Sequence, residues 1–187
     1  ARDLHSKVKL LSNSVETRAL TEMNVPLDYD GYVNKIEFGK TPERLMVNTL
    51  NRNQNEMKLY AVNPRSAMAK LIYTDKSTTW IDPDLTSMTR YYDSFFIVAS
   101  ERDGFRHLYQ YSNAGSLMKQ VTKGDWEVTD FYGYDPATMR YYYQSTQTGA
   151  LNRVVASVDA KGVSTIFSPK EVTSSAQLNT SFTYYLQ

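Results

Sequence analysis

A segment of about 47 residues occurs three times in this chain, and no other feature of the sequence limits the fold as strongly. The copies align at three short runs in which apolar and polar residues alternate: Leu59–Asn63, Leu108–Ser112 and Val155–Asp159. A repeat of about 40–50 residues built from short strand-like runs is typical of a β-propeller, in which each blade is a four-stranded antiparallel sheet. The sequence therefore predicts an all-β fold with about three blades, which are too few to close a ring.

Four strand-like runs can be placed in each copy, which puts the blades at roughly residues 31–74, 80–122 and 127–168. The runs of the first copy are Val33–Phe38, Arg44–Leu50, Met57–Val62 and Ala69–Tyr73. Those of the second copy are a weak run near Leu85–Tyr91, then Phe95–Ser100, His107–Tyr111 and Leu117–Thr122. Those of the third copy are Val128–Tyr132, Arg140–Gln144, Arg153–Val158 and Val163–Phe167.

Turn signals separate these runs and predict short hairpins inside the blades. They are Asp103-Gly104, Asn113-Ala114-Gly115, Thr148-Gly149 and Lys161-Gly162. The two ends of the chain predict incomplete blades at residues 7–21 and 177–187, from the runs Lys7–Leu11, Arg18–Thr21 and Ser181–Leu186. Pro42-Glu43 and Pro169–Val172 each predict one helical turn at most.

Composition excludes several classes of protein. The 187 residues carry a net charge of +1 with no basic stripe, which argues against a nucleic-acid partner. No apolar run is long enough for a membrane span, and no targeting signal is evident. The absence of cysteine excludes disulfides, thiol catalysis and cysteine-based zinc sites within the chain. Because the chain begins at Ala1 without an initiator methionine, we expect it to be processed or excised.

Three segments resemble the N-terminal propeller region of the dipeptidyl peptidase IV family, a group of serine peptidases (family S9B). They are Thr49–Asn55, Ser100–Tyr109 and Val121–Gly133, and the similarity extends from about Gly31 to Val163 and more weakly to both ends. The resemblance implies an eight-bladed propeller joined to a C-terminal α/β-hydrolase domain. It also implies an exported exopeptidase, periplasmic or extracellular, that releases dipeptides from peptide N termini, often after Pro or Ala.

The chain itself lacks the chemistry of such an enzyme. None of its eight glycines forms the Gly-x-Ser-x-Gly motif of a hydrolase nucleophile. His107 is expected to be a packed strand residue, and His5 is expected to be solvated near the end of the chain. The pair of glutamates with which the family holds the substrate amine has no counterpart here. We therefore expect no catalytic residue and no cofactor in this chain, and no peptidase activity from it alone.

One segment is a candidate for substrate binding. Trp80, Asp82 and Asp84 join the first repeat to the second, in a loop that resembles a rim element of the family's substrate cavity. In this interpretation the indole and the carboxylates shape a peptide subsite. The alternative is that Trp80 packs between blades and that Asp82-Pro83-Asp84 is ordinary turn chemistry.

Other conspicuous residues favour structural roles. Trp126 is expected to pack at a blade edge rather than to recognise a ligand. The tyrosine clusters Tyr91-Tyr92, Tyr141–Tyr143 and Tyr184-Tyr185 are expected to pack between blades. Neither Asp82 with Asp84 nor Asp28 with Asp30 fits a calcium loop, so no metal site is expected. Asn179-Thr180-Ser181 matches a glycosylation sequon, a triplet that is common by chance.

Three functions remain open from the sequence. The first is the gating and cavity-wall part of a dipeptidyl-peptidase-like enzyme, whose partners would be the remaining blades, the hydrolase domain and a peptide substrate. The second is a free-standing interaction module, as many propellers are. The third is a sugar-active propeller enzyme, which needs paired acidic residues around a cavity. In addition, open blade faces predict either self-association into a homo-oligomer or a strongly distorted end blade, because monomers rarely expose large apolar patches.

Overall fold

The computed structural model describes residues 8–27, 31–169, 172–183 and 185–186, and these residues are nearly all β-strand and turn. Near the N terminus, β1 (Leu11–Asn13) pairs with β2 (Leu20–Glu22) as a two-stranded antiparallel ribbon. The first four-stranded sheet follows, with β3 (Tyr32–Phe38), β4 (Leu45–Leu50), β5 (Glu56–Val62) and β6 (Ala69–Lys76) in meander order. All of its pairings are antiparallel.

Two further four-stranded sheets have the same order. A 3₁₀ helix, η1 (Pro83–Met88), precedes the second sheet, which contains β7 (Arg90–Tyr91), β8 (Phe95–Ser100), β9 (His107–Ser112) and β10 (Leu117–Gln120). The third contains β11 (Val128–Asp135), β12 (Arg140–Ser145), β13 (Val154–Val158) and β14 (Ser164–Ile166). The strands β15 (Gln177–Leu178) and β16 (Tyr185–Leu186) form a short final pair.

The predicted fold class is confirmed: three four-stranded antiparallel meanders succeed one another along the chain. The burial of the inner strands explains why the sequence predicts these sheets so clearly. Every residue of β4 and of β13 is buried, so both faces of these strands are covered, and most of their residues are apolar. The four glycine-containing turn signals also lie between strands as predicted.

The expected weak strand at Leu85–Tyr91 is wrong, because most of that segment is η1 and only Arg90–Tyr91 is strand. The local chemistry favours the helix. Asp82 Oδ1 accepts a hydrogen bond from the Asp84 backbone N–H at 2.9 Å, and Pro83 stands at the first helical position. The hydroxyl of Thr86 donates to the Pro83 carbonyl at 2.9 Å and closes the turn.

The strand bounds at the chain ends also differ from prediction. The structure places β1 at Leu11–Asn13 rather than Lys7–Leu11, and Lys7 lies outside the described residues. At the other end, the run Ser181–Leu186 is strand only at Tyr185–Leu186, and Tyr184 lies outside the described residues. Pro42-Glu43 forms a single turn, whereas the predicted turn at 169–172 includes two residues that the structure does not describe.

Two compact units make up the chain. The first comprises residues 1–86, 91–95 and 113–116, and the second comprises residues 87–90, 96–112 and 117–187. The core of the first unit contains Met23, Leu45, Val47, Tyr60, Val62 and Ala67. In the second unit the largest fully buried side chains include Tyr143, Phe96, Phe131, Ile97, Leu108 and His107. Within the described ranges, no helix has the length and apolar character needed to cross a membrane.

Candidate functional site

The candidate loop carrying Trp80 is held against the turn between β4 and β5. The backbone N–H of Ser77 donates to the carbonyl of Asn55 at 2.9 Å, and that of Ile81 donates to the carbonyl of Gln54 at 2.7 Å. The Trp80 indole N–H donates to Gln54 Oε1 at 2.5 Å, while 51% of the residue stays exposed. The loop therefore presents an indole ring that is oriented by a hydrogen bond and open to solvent.

The turn that supports this loop is built around one side chain. Asn51 Oδ1 accepts from the backbone N–H groups of Asn55 and Glu56, both at 2.9 Å. The amide of Asn51 also donates to Asn55 Oδ1 at 2.7 Å. Gln54, which holds Trp80, adopts a positive φ of 54°, and no signal in the sequence marks it as the partner of the indole. Sequence reasoning therefore missed Gln54 as part of the candidate site.

Asp82 and Asp84 lie at the start of η1, but their side chains differ in burial and in hydrogen bonding. Asp82 is partly buried and accepts the Asp84 N–H, whereas Asp84 is exposed. The helix is anchored to β3, because the Asn34 amide donates to the Pro83 carbonyl at 3.3 Å. Lys35 Nζ likewise donates to the Thr86 carbonyl at 3.2 Å. Asp82 thus takes part in the turn, whereas the Asp84 carboxylate faces solvent.

The three predicted site residues therefore share one loop and one end of the first sheet. A half-exposed indole offers a flat apolar surface, and nearby carboxylates attract an ammonium group. Nothing in the structure assigns them a ligand, so their role in substrate binding stays a prediction.

His107 is confirmed as a packed strand residue. It is fully buried, and its Nε2 lies 2.9 Å from the Gly124 carbonyl oxygen, while its Nδ1 lies 3.0 Å from Thr122 Oγ1. Because a carbonyl can only accept, Nε2 carries a proton and donates to it. The Thr122 hydroxyl also accepts the Leu108 N–H at 3.0 Å. Both ring nitrogens are thus occupied by structural bonds.

Trp126 is half-buried and packs against other aromatic rings of the second unit. Its ring meets that of His107 edge-on, with centroids 4.9 Å apart, and stacks on Tyr143 at 5.9 Å. The tyrosines Tyr141, Tyr142 and Tyr143 are all buried, which confirms packing rather than a ligand surface. The Tyr141 hydroxyl donates to Gln110 Oε1 at 2.7 Å.

The remaining candidates contribute no further site. Among the residues that the structure describes, no three His, Cys, Asp or Glu side chains cluster closely enough to hold a metal ion. His5, Asp28 and Asp30 lie outside the described residues. The amide of Asn179 in the sequon donates to the Ser181 hydroxyl at 2.8 Å and to the Thr183 hydroxyl at 3.0 Å.

The comparisons with known proteins identify the family of the chain. The family model for the dipeptidyl peptidase IV N-terminal region matches residues 1–187. The chain therefore belongs to the dipeptidyl peptidase IV N-terminal region family, as the sequence resemblance implied.

Relatives and solved structures extend this result. The chain is 33% identical over 128 residues to a probable dipeptidyl peptidase 4 of Aspergillus clavatus, a match that covers 65% of this chain and 17% of that protein. A crystal structure of Porphyromonas gingivalis dipeptidyl peptidase 4 is similar with a TM-score of 0.90 and 36% identity, over 95% of this chain and 25% of that one. A putative dipeptidyl aminopeptidase IV from Bacteroides ovatus shares the fold, with a TM-score of 0.73, 22% identity, and coverage of 92% of this chain and 28% of that one. The chain thus spans about a sixth of the length of the curated relatives it matches.

Proposed function

We propose that this chain is part of the β-propeller of a serine-type dipeptidyl peptidase, where it forms cavity wall and helps to gate a catalytic domain outside the chain. One observation carries the proposal: the similarity to dipeptidyl peptidase 4 of Porphyromonas gingivalis runs through 95% of the chain in one order, at 36% identity. The whole protein would release dipeptides from peptide N termini. The chain contains no Gly-x-Ser-x-Gly motif, so the nucleophile would come from elsewhere in that protein.

Activity measurements on the full gene product test this assignment. We expect it to cleave a Gly-Pro or Ala-Pro chromogenic substrate, and we expect the 187-residue chain alone to show no cleavage. A full-length protein that has an intact triad and yet leaves both substrates uncleaved would overturn the proposal. A gene product without a hydrolase domain would instead favour a free-standing interaction module.

The candidate loop is tested in the same full-length enzyme. Trp80→Ala should lower kcat/KM about 10-fold if the indole contacts substrate, because a buried aromatic anchor contributes about 1–2 kcal/mol. Trp80→Phe keeps an aromatic ring but loses the N–H bond to Gln54, so it separates ring contact from ring orientation. Met68→Ala is the control, since Met68 is 71% exposed in the turn between β5 and β6, outside the loop. Equal losses from Trp80→Ala and Met68→Ala would contradict a role for the loop.

The two carboxylates need variants that preserve the helix. Asp82→Asn removes the charge but keeps an oxygen that can accept the Asp84 N–H, so it leaves η1 capped. Asp84→Asn removes the exposed charge alone. If these charges attract the substrate ammonium, both variants should raise KM a few-fold at low ionic strength, and salt should reduce the difference. An unchanged KM for both variants at low salt would exclude the electrostatic role.

The location and partners of the whole protein belong to the same proposal. We place it in the periplasm or outside the cell, with the hydrolase domain and the remaining blades packed against this part of the propeller. Cell fractionation of the native host with an antibody against the chain tests the location, and a purely cytoplasmic signal would contradict it.

A further inference from the structure

A concave site lies in the first unit, away from the Trp80 loop. It is a cleft of about 280 Å³ whose lining includes Lys40, Thr41, Arg44, Met46, Tyr91 and Asn113. The turn between β3 and β4 provides the cationic side, at residues 39–44. Because consecutive turns of a meander lie at opposite ends of the sheet, this cleft is at the other end from the β4–β5 turn that holds Trp80. The cleft is therefore independent of the candidate substrate loop.

Arg44 is the central group of the cleft. Its Nη2 donates to the Asn113 carbonyl at 2.7 Å, and no described carboxylate lies within ion-pair distance of its guanidinium. Partial burial lowers the pKa of Arg44 from its ordinary value, which means that the charge lacks full solvation or a counter-ion. A guanidinium has five N–H donors, so the bond to Asn113 leaves others for a ligand.

The groups that hold Arg44 are themselves fixed. The Arg44 N–H donates to the Thr41 carbonyl at 3.1 Å, and the Gly39 N–H donates to the Arg44 carbonyl at 2.7 Å, which closes the turn. The Asn113 amide donates to the Asp93 carbonyl at 2.7 Å. The cation is thus presented by a preorganised frame, which reduces the entropic cost of binding.

The other lining residues supply one more cation and an apolar wall. Among the described residues, the Lys40 ammonium has no hydrogen bond or ion pair. Met46 is 1% exposed, and the Tyr92 ring stacks on Phe95 with centroids 4.8 Å apart. Tyr91 stays neutral, because burial, followed by the neighbouring Glu37 carboxylate, raises its pKa far above the ordinary value. Asp93 is the one carboxylate among the lining residues, and it is exposed.

We propose that this cleft binds a small organic carboxylate, with the anionic end held by Arg44 and Lys40 and the apolar body against Met46 and Tyr92. An Arg–carboxylate pair is bidentate and charge-assisted, and a half-buried guanidinium without a counter-ion gains more from it than a solvated one. The volume is at the lower end of the range for ligand sites, which fits a molecule about the size of one ring and a short acid chain. The carboxylate belongs either to a free acid or to the C terminus of a short peptide.

Binding of 3-phenylpropionate to the full chain tests the proposal, with the Met46 methyl resonance and calorimetry as readouts. We expect saturable binding, weakened about 10-fold or more by Arg44→Gln and less by Lys40→Gln, since a charge-assisted pair contributes about 1.5–3 kcal/mol. Lys70→Gln is the matched control, because Lys70 is an exposed cation on β6 outside the cleft. Asp93→Asn should tighten binding a few-fold by removing the opposing charge.

Neutral and peptide-like probes complete the test. The isosteric 3-phenylpropanamide should not bind, because it lacks the charge. N-acetylphenylalanine carries its carboxylate as a peptide C terminus does. If it binds more tightly than 3-phenylpropionate, the site is assigned to peptide C termini. If it binds more weakly, the site is assigned to free acids. If circular dichroism shows that Arg44→Gln disturbs the fold, two variants at exposed positions still test the proposal. Lys40→Gln should weaken binding, and Asp93→Asn should tighten it. No saturable shift at Met46, equal binding of the amide, or an equal loss in Lys70→Gln would overturn the proposal.

Discussion

Gly115 occupies a position where the chain has no room for a side chain. It lies in the turn between β9 and β10 with a φ of +100°, a conformation that residues with a Cβ rarely adopt. A Cβ at this position would lie 2.6 Å from the carbonyl oxygen of Ile72 and 3.0 Å from its Cα. Since both obstacles are backbone atoms of the buried Ile72, they cannot move aside cheaply.

Replacement of Gly115 by alanine should therefore cost about 3 kcal/mol or more of unfolding free energy, from backbone strain and overpacking together. Gly104→Ala is a close control, because Gly104 has a φ of +99° and a Cβ added to it would meet no atom within 4 Å. It should cost only the backbone term of about 1 kcal/mol. Urea unfolding of the two variants compares them directly, and equal losses would show that the contact with Ile72 contributes nothing.

Hydrogen bonds accepted by one carboxylate organise the hairpin between β13 and β14. Asp159 Oδ1 accepts from the backbone N–H groups of Lys161 and Val163, both at 2.9 Å. The Gly162 N–H donates to the Asp159 carbonyl at 3.0 Å, and Arg140 Nη2 lies 4.0 Å from the carboxylate. The Val163 bond, followed by the Lys161 bond and the charge of Arg140, holds the pKa of Asp159 below its ordinary value.

This lowered pKa predicts a pH dependence that Asp159→Asn removes. A carboxyl whose folded-state pKa is depressed stabilises the fold above its ordinary pKa, and this contribution is lost as the pH falls through the folded-state value. The stability difference between the native chain and Asp159→Asn should therefore be largest near neutral pH and shrink at strongly acidic pH. Unfolding at a series of pH values measures it, with Asp125→Asn at an exposed position as the control. A difference that grows on acidification would contradict the role of the charge.

Several apolar side chains of the first unit remain exposed in this chain. Val15 is 95% exposed, and Leu20 and Phe38 are each 65% exposed. Propeller blades normally cover such surfaces with a neighbouring blade, and exposed apolar area favours association in water. At the scale of the whole molecule, the isolated chain is therefore expected to self-associate.

Light scattering across a concentration series tests this expectation, which predicts an average mass that rises with protein concentration. Replacing Leu20 and Phe38 together by serine should shift the association to higher concentration, because the two changes remove much of the exposed apolar surface. Met139 is 55% exposed in the second unit, so Met139→Ser provides a comparison outside that surface. A strictly monomeric native chain at high concentration would count against open blade faces.

The sheets were predictable because their signal is local and repeated. The buried strands β4, β8 and β13 each read as a short apolar run between turn residues, and the three copies reinforce one another. η1 was not predictable in the same way, because Leu85 and Met88 have the apolar character of a strand, and only the Asp82 cap reveals the helix. Of the candidate loop, the sequence indicated Trp80, Asp82 and Asp84 but not Gln54, which lies 26 residues from the indole that it holds.

The sequence by itself determined the repeat, the all-β class, the family and the absence of a Gly-x-Ser-x-Gly motif, because each depends on residue types at short or regular spacing. Only the tertiary structure decided which distant residues meet. Arg44 donates a hydrogen bond to the carbonyl of Asn113, which lies 69 positions away in the sequence. Three separate segments of the chain line the cleft around Arg44. No spacing rule links such residues, since their proximity follows from close packing of side chains that are distant in sequence, and that depends on the whole folded chain.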